Sequence, residues 1–317
     1  MVDLTPTLFT AEGKSVTGVE LTALEWSRDA SAPCDALWLW ITAESDLPEI
    51  DRVMLERDGD AVFSGYCDLQ RETDSAGHSV CLYARSDAAL LVDSEAAPGT
   101  FNGVTANTLF TVYAAPMGFQ SALPRCSCSG EYMVNKGATL YGAVNDFVYA
   151  LTGKSVCVSP QRVLYLPDGK HVSVIPADAV LETERSIHRG DVISRIDFKT
   201  EGDAGYDHHL LSRTLDAIGI RRSRKLNLSA LPYWQQNAAL QGQMQRAADG
   251  CYRASLTVSG CPSLELYGSV QCPLPRVRAL SEYRIAAFTV RLNKNGVKTQ
   301  IQLTKPMKLK EITYVAE

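Results

Sequence analysis

Residues 53–91 read VMLERDGDAVFSGYCDLQRETDSAGHSVCLYARSDAALL, and the fold turns on them. Val53–Arg57 and Ala61–Tyr66 are apolar-rich runs split by Asp58-Gly59, a dipeptide that tolerates the positive φ of a tight hairpin. The chain continues through Cys67 to Thr73, turns at Asp74–Gly77, and re-enters with Val80, Leu82 and Ala84 alternating against Ser79, Cys81 and Tyr83. That is the period of a half-buried strand. Three strands joined by short turns predict an antiparallel meander, followed by the apolar cluster Leu90–Val92.

Working outward, Val16, Val19, Leu21 and Leu24 fall near strand spacing, and Ala36–Ile41 places Leu37, Leu39 and Ile41 on one face with Trp38 and Trp40 on the other. Two tryptophans on an outer face predict a packing surface, either beneath a neighbouring part of the same chain or between subunits, where Trp is enriched. From Ser94 the pattern changes. Val104, Leu109, Val112 and Tyr113 fit a short helix begun near Thr105 and stopped by Pro116 and Gly118. Leu140, Val144, Phe147, Val148 and Leu151 recur at helical spacing, with Thr139 as N-cap and Gly153 as the αL residue past the end. Val156–Val158 predicts a strand, and Val163–Leu166 with His171–Ile175 a hairpin turning at Asp168-Gly169.

Strands return after Asp178. Val192–Lys199 alternates with one polar face, 231–248 fits a helix carrying Trp234, Ala238 and Met244, and Tyr252–Val258 leads into SGCPSLELYGSVQC. Phe288, Val290 and Leu292, a turn at Asn293–Gly296, then Val297, Thr299, Ile301 and Leu303 make the cleanest hairpin, with one apolar and one wet face. Its expected place is at the edge of a barrel, which it would seal. The tail 305–317 could add a strand to a neighbour through 312–315.

The bulk properties bound the function. A chain of 317 residues exceeds the size of one typical core and predicts two or three domains. Thirty-one basic against 36 acidic residues, net −5, argue against duplex DNA binding as the main task. Nine cysteines, of which only Cys126 and Cys128 are close together, fit reduced thiols. No signal-peptide pattern or membrane-length apolar run is present, which predicts a protein made and assembled in the cytoplasm.

The chemistry-bearing residues are sparse. Hydrolase, phosphate-loop, dinucleotide and zinc-protease motifs are absent. Cys126-x-Cys128 lacks a second pair for zinc, and adjacent His208 and His209 in a strand would point to opposite faces. Glu182/Glu184 and Asp46/Glu49 are the acid pairs a glycosidase would need, but nothing marks a sugar cleft around them. No enzyme, metal or cofactor is therefore expected. The strongest charge feature is Arg221, Arg222, Arg224 and Lys225, read either as a solvated loop or as an electrostatic docking patch for an acidic neighbouring ring, tape-measure protein or DNA.

FSGYCDL (63–69), HSVCLYARSDAALLVDS (78–94) and FNGVTANTLFTVYAAPMGF (101–119), in that order, resemble the opening of phage tail baseplate hub proteins, the late control protein D-like hubs of contractile tails. The positions carrying the resemblance are Phe63, Gly65, Arg85, Asp87, Leu90, Leu91, Gly103 and Thr105; a second family-like stretch supplies Gly260, Pro262, Leu264, Leu266, Gly268 and Val270, there read as a turn and a strand. The resemblance implies a β-rich α+β fold: a barrel-like antiparallel β domain at 1–94, an α+β insertion with two short helices at 95–178, and a second barrel-like domain with one helix at 179–317. It further implies a structural virion component forming a homotrimeric, pseudo-hexameric ring between the hexameric tail tube and a trimeric spike. Other baseplate proteins, and tape-measure protein, are the further partners implied; membrane insertion and sequence-specific nucleic-acid binding are not. No wall-degrading module is apparent after Leu303. The rivals are a carbohydrate- or receptor-binding tail-tip protein using Trp38, Trp40 and Trp234, and a cell-wall hydrolase.

Overall fold

The computed structural model describes residues 4–43, 46–74, 78–218, 221–307 and 312–316, without the side chains of Asp74, His78 and 312–316. The first third is all strand: β1 (Leu4–Phe9), β2 (Ser15–Val16), β3 (Val19–Asp29), β4 (Ala36–Ala43), β5 (Arg52–Arg57), β6 (Asp60–Asp74) and β7 (His78–Ser86). Next come α1 (Ala89–Val92), β8 (Gly99–Asn102), α2 (Ala106–Tyr113), β9 (Gln120–Ala122), β10 (Glu131–Val134), α3 (Leu140–Thr152), β11 (Cys157–Val158), β12 (Val163–Tyr165) and β13 (Val172–Val174). The remainder holds β14 (Val180–Ile187), β15 (Arg195–Lys199), β16 (His208–Ser212), α4 (Arg213–Asp216), β17 (Ser223–Asn227), α5 (Tyr233–Asp249) and β18 (Tyr252–Ser259). It closes with β19 (Ser269–Gln271), α6 (Pro275–Arg278), β20 (Arg284–Asn293), β21 (Gly296–Thr304) and β22 (Ile312–Ala316).

The meander at 53–91 forms as its sequence dictates. Asp58 and Gly59 take φ of 53° and 89°, the left-handed pair a two-residue hairpin requires, and Leu55 pairs with Phe63 across β5 and β6. Val80, Leu82 and Ala84 are at most 1% exposed. The turn expected at 74–77 falls largely on 75–77, outside the described residues.

The β-rich α+β class stands, and antiparallel pairing dominates both ends of the chain. Closed barrels, however, do not form among the described residues. One eleven-stranded sheet runs β14-β18-β21-β20-β3-β4-β7-β6-β5-β1-β2, uniting strands from the two ends through the antiparallel pair β3–β20. The reason is that β20 offers its second edge to β3 instead of curling back on its own arm. The final hairpin therefore lies mid-sheet, where alternation predicts its faces but not its neighbours. Trp26 of β3 meets Phe288 of β20 edge-to-face at 5.2 Å, in a core shared by Leu24, Leu39, Leu82, Leu256 and Ile301.

A second core packs α2 and α3 through Leu109, Val144 and Phe147, and a third sets Leu240 and Met244 of α5 against Ile196 and Leu210. The caps are as expected: Thr105 accepts from Thr108 N, Thr139 accepts from Gly142 N, and Gly153 ends α3 at φ 70°.

Three local expectations fail. Val163–Leu166 and His171–Ile175 do not pair: β12 joins β11 and β9, while β13 runs parallel to β19. Leu264–Leu266 is not a strand, because Tyr267 turns the chain at φ 63° just before β19. The tail segment adds its strand to its own chain, β22 pairing antiparallel with β16 in the four-stranded sheet β17-β15-β16-β22.

Candidate assembly surfaces

Strand alternation puts Leu37, Leu39 and Ile41 in the core and Trp38 and Trp40 on the opposite face. There Trp38 stacks on Trp40 with centroids 6.1 Å apart and leans on Tyr83 at 4.5 Å. Trp40 is 39% exposed. The result is an aromatic strip on the outer side of the large sheet, partly covered by its own members.

The positions that carried the sequence resemblance form a set of close approaches and ion pairs. Gly65 lies where an added Cβ would come within 2.0 Å of the Arg85 carbonyl oxygen, so no other residue fits without moving β7. Phe63 is in the core. Arg85 forks between Asp68 and Asp93, and these contacts lower the Asp93 pKa, Arg85 being the chief cause. Asp87, 2% exposed, receives Arg52 at 3.0 Å, Arg162 at 3.1 Å and the Ser64 hydroxyl at 3.1 Å. Arg162 belongs to the loop before β12, so Asp87 ties the sheet to the α+β segment. Gly103 takes φ 60° ahead of the Thr105 cap, and Gly260 takes φ 84° while its carbonyl accepts the Thr299 hydroxyl at 2.6 Å. The Pro262 carbonyl accepts Arg57, and a Cβ on Gly268 would sit 2.9 Å from the His171 carbonyl oxygen. Each of these positions serves the chain's own packing.

A second tie between the sheet and the α+β segment was not foreseen. Arg28 of β3 pairs with Asp35 at 3.2 Å and donates to the Val158 carbonyl and the Tyr165 hydroxyl. Burial pushes Asp35 up to about 6 against the pull of Arg28. A lone Arg and Asp seven residues apart give no sequence signal that they share a buried site.

The basic run splits by position. Arg221 makes an exposed pair with Asp216, and Arg222 donates to the Arg189 carbonyl. Arg224 and Lys225 lie in β17, with the Lys225 ammonium 5.3 Å from the centre of the Tyr206 ring. Arg221 and Arg222 line a cleft of about 400 Å³ with Arg195, Arg213 and Asp216.

His208 and His209 point to opposite faces as alternation requires, His208 to Asp203 at 3.1 Å and His209 to Asp197 at 2.8 Å. Burial opposes ionisation of Asp197, but Arg195 and His209 outweigh it and lower its pKa. Among the described residues no group of three potential metal ligands converges, and no helix is long and apolar enough to cross a membrane. Trp234 is turned inward: its indole donates to the Glu131 carbonyl at 3.0 Å and packs against Tyr132 and Phe147. Asp46 and Glu49 are exposed, as are Glu182 and Glu184 on β14.

A cleft of about 620 Å³, of mixed polar and apolar lining, opens where α3, α5 and the sheet meet, with Tyr149, Glu184, Arg246, Asp249, Ile285 and Leu303 among its walls. Its Asp249 is engaged locally by Gln245 and the Met307 N–H, and burial raises its pKa. Beside it, β14, the last strand of the sheet among the described residues, leaves Leu181 and Ile187 exposed at 49% and 57%. Their spacing with Thr183 and Arg185 is that of a strand face, a signal present in the sequence and passed over.

No protein-family model and no curated protein sequence matches the chain. Solved structures do. A tail protein from Neisseria meningitidis MC58 superposes with a TM-score of 0.76 at 16% identity, over 95% of this chain and 96% of that one. The 43 kDa tail protein of prophage MuSo2 from Shewanella oneidensis gives 0.76 at 17% identity, over 96% and 99%. An E. coli type VI secretion component, described as structurally similar to the T4 bacteriophage tail proteins gp27 and gp5, gives 0.57 at 10% identity, over 94% and 76%. Across nearly its whole length, then, this chain has the fold of phage tail proteins.

Proposed function

We propose that the chain is a structural baseplate hub of a phage or phage-like contractile machine, without catalysis. In this reading three copies form a pseudo-hexameric ring that joins the tail tube to a trimeric spike, with other baseplate proteins around it. The ring is assembled in the host cytoplasm and carried in the virion. The observation that carries the reading is the way the large sheet grows. From the central β3–β20 pair each arm extends by a hairpin, β3–β4 on one side and β20–β21 on the other, and then by further antiparallel strands, β7 and β6 or β18 and β14. The arms differ in size, seven strands on the β3 side and four on the β20 side, but two antiparallel arms per subunit are what would let threefold copies meet a sixfold partner. The segments 1–94, 95–178 and 179–317 serve as its working units, and the Trp38–Trp40 strip and the β14 edge are the contact surfaces we assign between subunits.

The test is sedimentation of the purified chain, alone and co-expressed with tube and spike proteins of the parent tail. A trimer, or a stable complex with either protein, is the expected result. A chain that stays monomeric and co-purifies with neither overturns the reading. The cleft beside Tyr149, with Arg246, Asp249 and Glu184 in its walls, favours one alternative, a glycan-binding tail-tip role, which retention of purified cell-wall glycans by the isolated chain would reveal.

A further inference from the structure

The four-stranded sheet β17-β15-β16-β22 treats its two edges differently. On one side β22, from the end of the chain, pairs with β16 and covers that edge. On the other side β17 pairs only with β15 among the described residues. Arg222 O accepts from Arg195 N, and Leu228 N donates to Lys199 O, so the even-numbered residues of this stretch face β15. Alternation then turns the N–H and C=O groups of Ser223, Lys225 and Asn227 to the open side.

An open edge is an invitation to strand addition, and a cation on it is a common deterrent. Here the cations exceed what deterrence needs. Arg224 and Lys225 lie on the strand, and at its start a cleft of about 400 Å³ is lined by Arg195, Arg213, Arg221 and Arg222, of which Arg195 pairs with Asp197 and Arg221 with Asp216. This happens in a chain whose net charge is −5. The sheet already accepts a late-arriving strand, β22, on its opposite edge.

We infer that β17 is a docking edge for an extended acidic segment of a partner protein, which adds as a fifth strand and places carboxylates in the arginine cleft. Backbone pairing along the edge supplies affinity and the guanidinium groups supply selection. A nucleic acid fits less well, since a polyanion has no use for a row of outward amides and carbonyls and would meet a chain of net charge −5. The inference rests on the chain being an assembly component, but it concerns the edge of a different sheet from the one that carries the proposed subunit contacts.

The experiment uses the full chain and fluorescence anisotropy with a labelled ten-residue peptide alternating glutamate and valine. Controls are its lysine counterpart and a single-stranded oligonucleotide of equal charge. Binding of the acidic peptide alone, weakening as salt rises, is the expected result. Arg222→Glu/Arg224→Glu lowers the affinity at least about tenfold. Ser223→Pro, which removes one outward N–H and no charge, lowers it several-fold. Thermal melts check that both variants remain folded. Absence of peptide binding, equal binding of the oligonucleotide, or a Ser223→Pro variant that binds as wild type overturns the inference. None of these outcomes touches the trimer measurement, so the two readings fail separately.

Discussion

At the scale of single residues, the buried pair Arg28–Asp35 sets a pH dependence. An acid whose folded pKa stands near 6, above its ordinary 3.8, holds its proton more tightly in the native state than in the unfolded chain. Its contribution to stability is therefore greatest below about pH 4 and is lost as pH rises through about 6. Asp35→Asn removes the titration. The expected outcome is that the melting temperature of the wild type falls relative to that of Asp35→Asn between pH 4 and pH 6.5; curves that run parallel would contradict it. The pair also shows why some contacts were not legible. Arg28 reaches Val158, 130 residues away, and no local pattern encodes such a partner. Gly65 was legible as a motif position, yet its reason, the approach of the Arg85 carbonyl oxygen, needed the register of β6 against β7.

At the scale of elements, local rules were followed closely. Helix α3 starts after Thr139 and stops before Gly153 because capping and αL chemistry are written in adjacent residues. Thr139→Ala takes away the acceptor for Gly142 N–H and should cost about 1 kcal/mol, read from urea unfolding, with Thr139→Asn restoring most of it. The hairpins turning at Asp58-Gly59 and Asn293–Gly296 were equally plain, whereas the one expected at Asp168-Gly169 did not form. What failed were pairings between short segments: β13 chose β19, nearly a hundred residues on, over its sequence neighbour. A three-residue strand carries too little alternation to name its partner. The basic run was visible at once, whereas the open edge of β17 beside it appears only when every strand has been assigned a mate.

At the scale of the whole molecule, composition and strand period announced a β-rich chain, but not that its two ends share one sheet. Edges are where sequence is least specific, because any strand with the right alternation satisfies them. The join at β3–β20 is sealed by Trp26 against Phe288. Phe288→Ala is expected to cost about 3–5 kcal/mol and to loosen both arms together. Tryptophan fluorescence and far-ultraviolet circular dichroism should then lose their sheet signals at the same, lower denaturant concentration. Separate transitions for the two arms would show that the seam does not couple them.

That seam has a temporal side. Because Asp29 pairs with Ala287, the ribosome must deliver most of the polypeptide before the middle of the sheet can form. Until then the growing N-terminal portion carries a bare strand margin in a crowded cell, the kind of species that sticks to its own kind. Late maturation of the sheet's middle is expected from this single pairing, and the yield of properly matured protein should improve when translation is slowed or the temperature of synthesis is lowered.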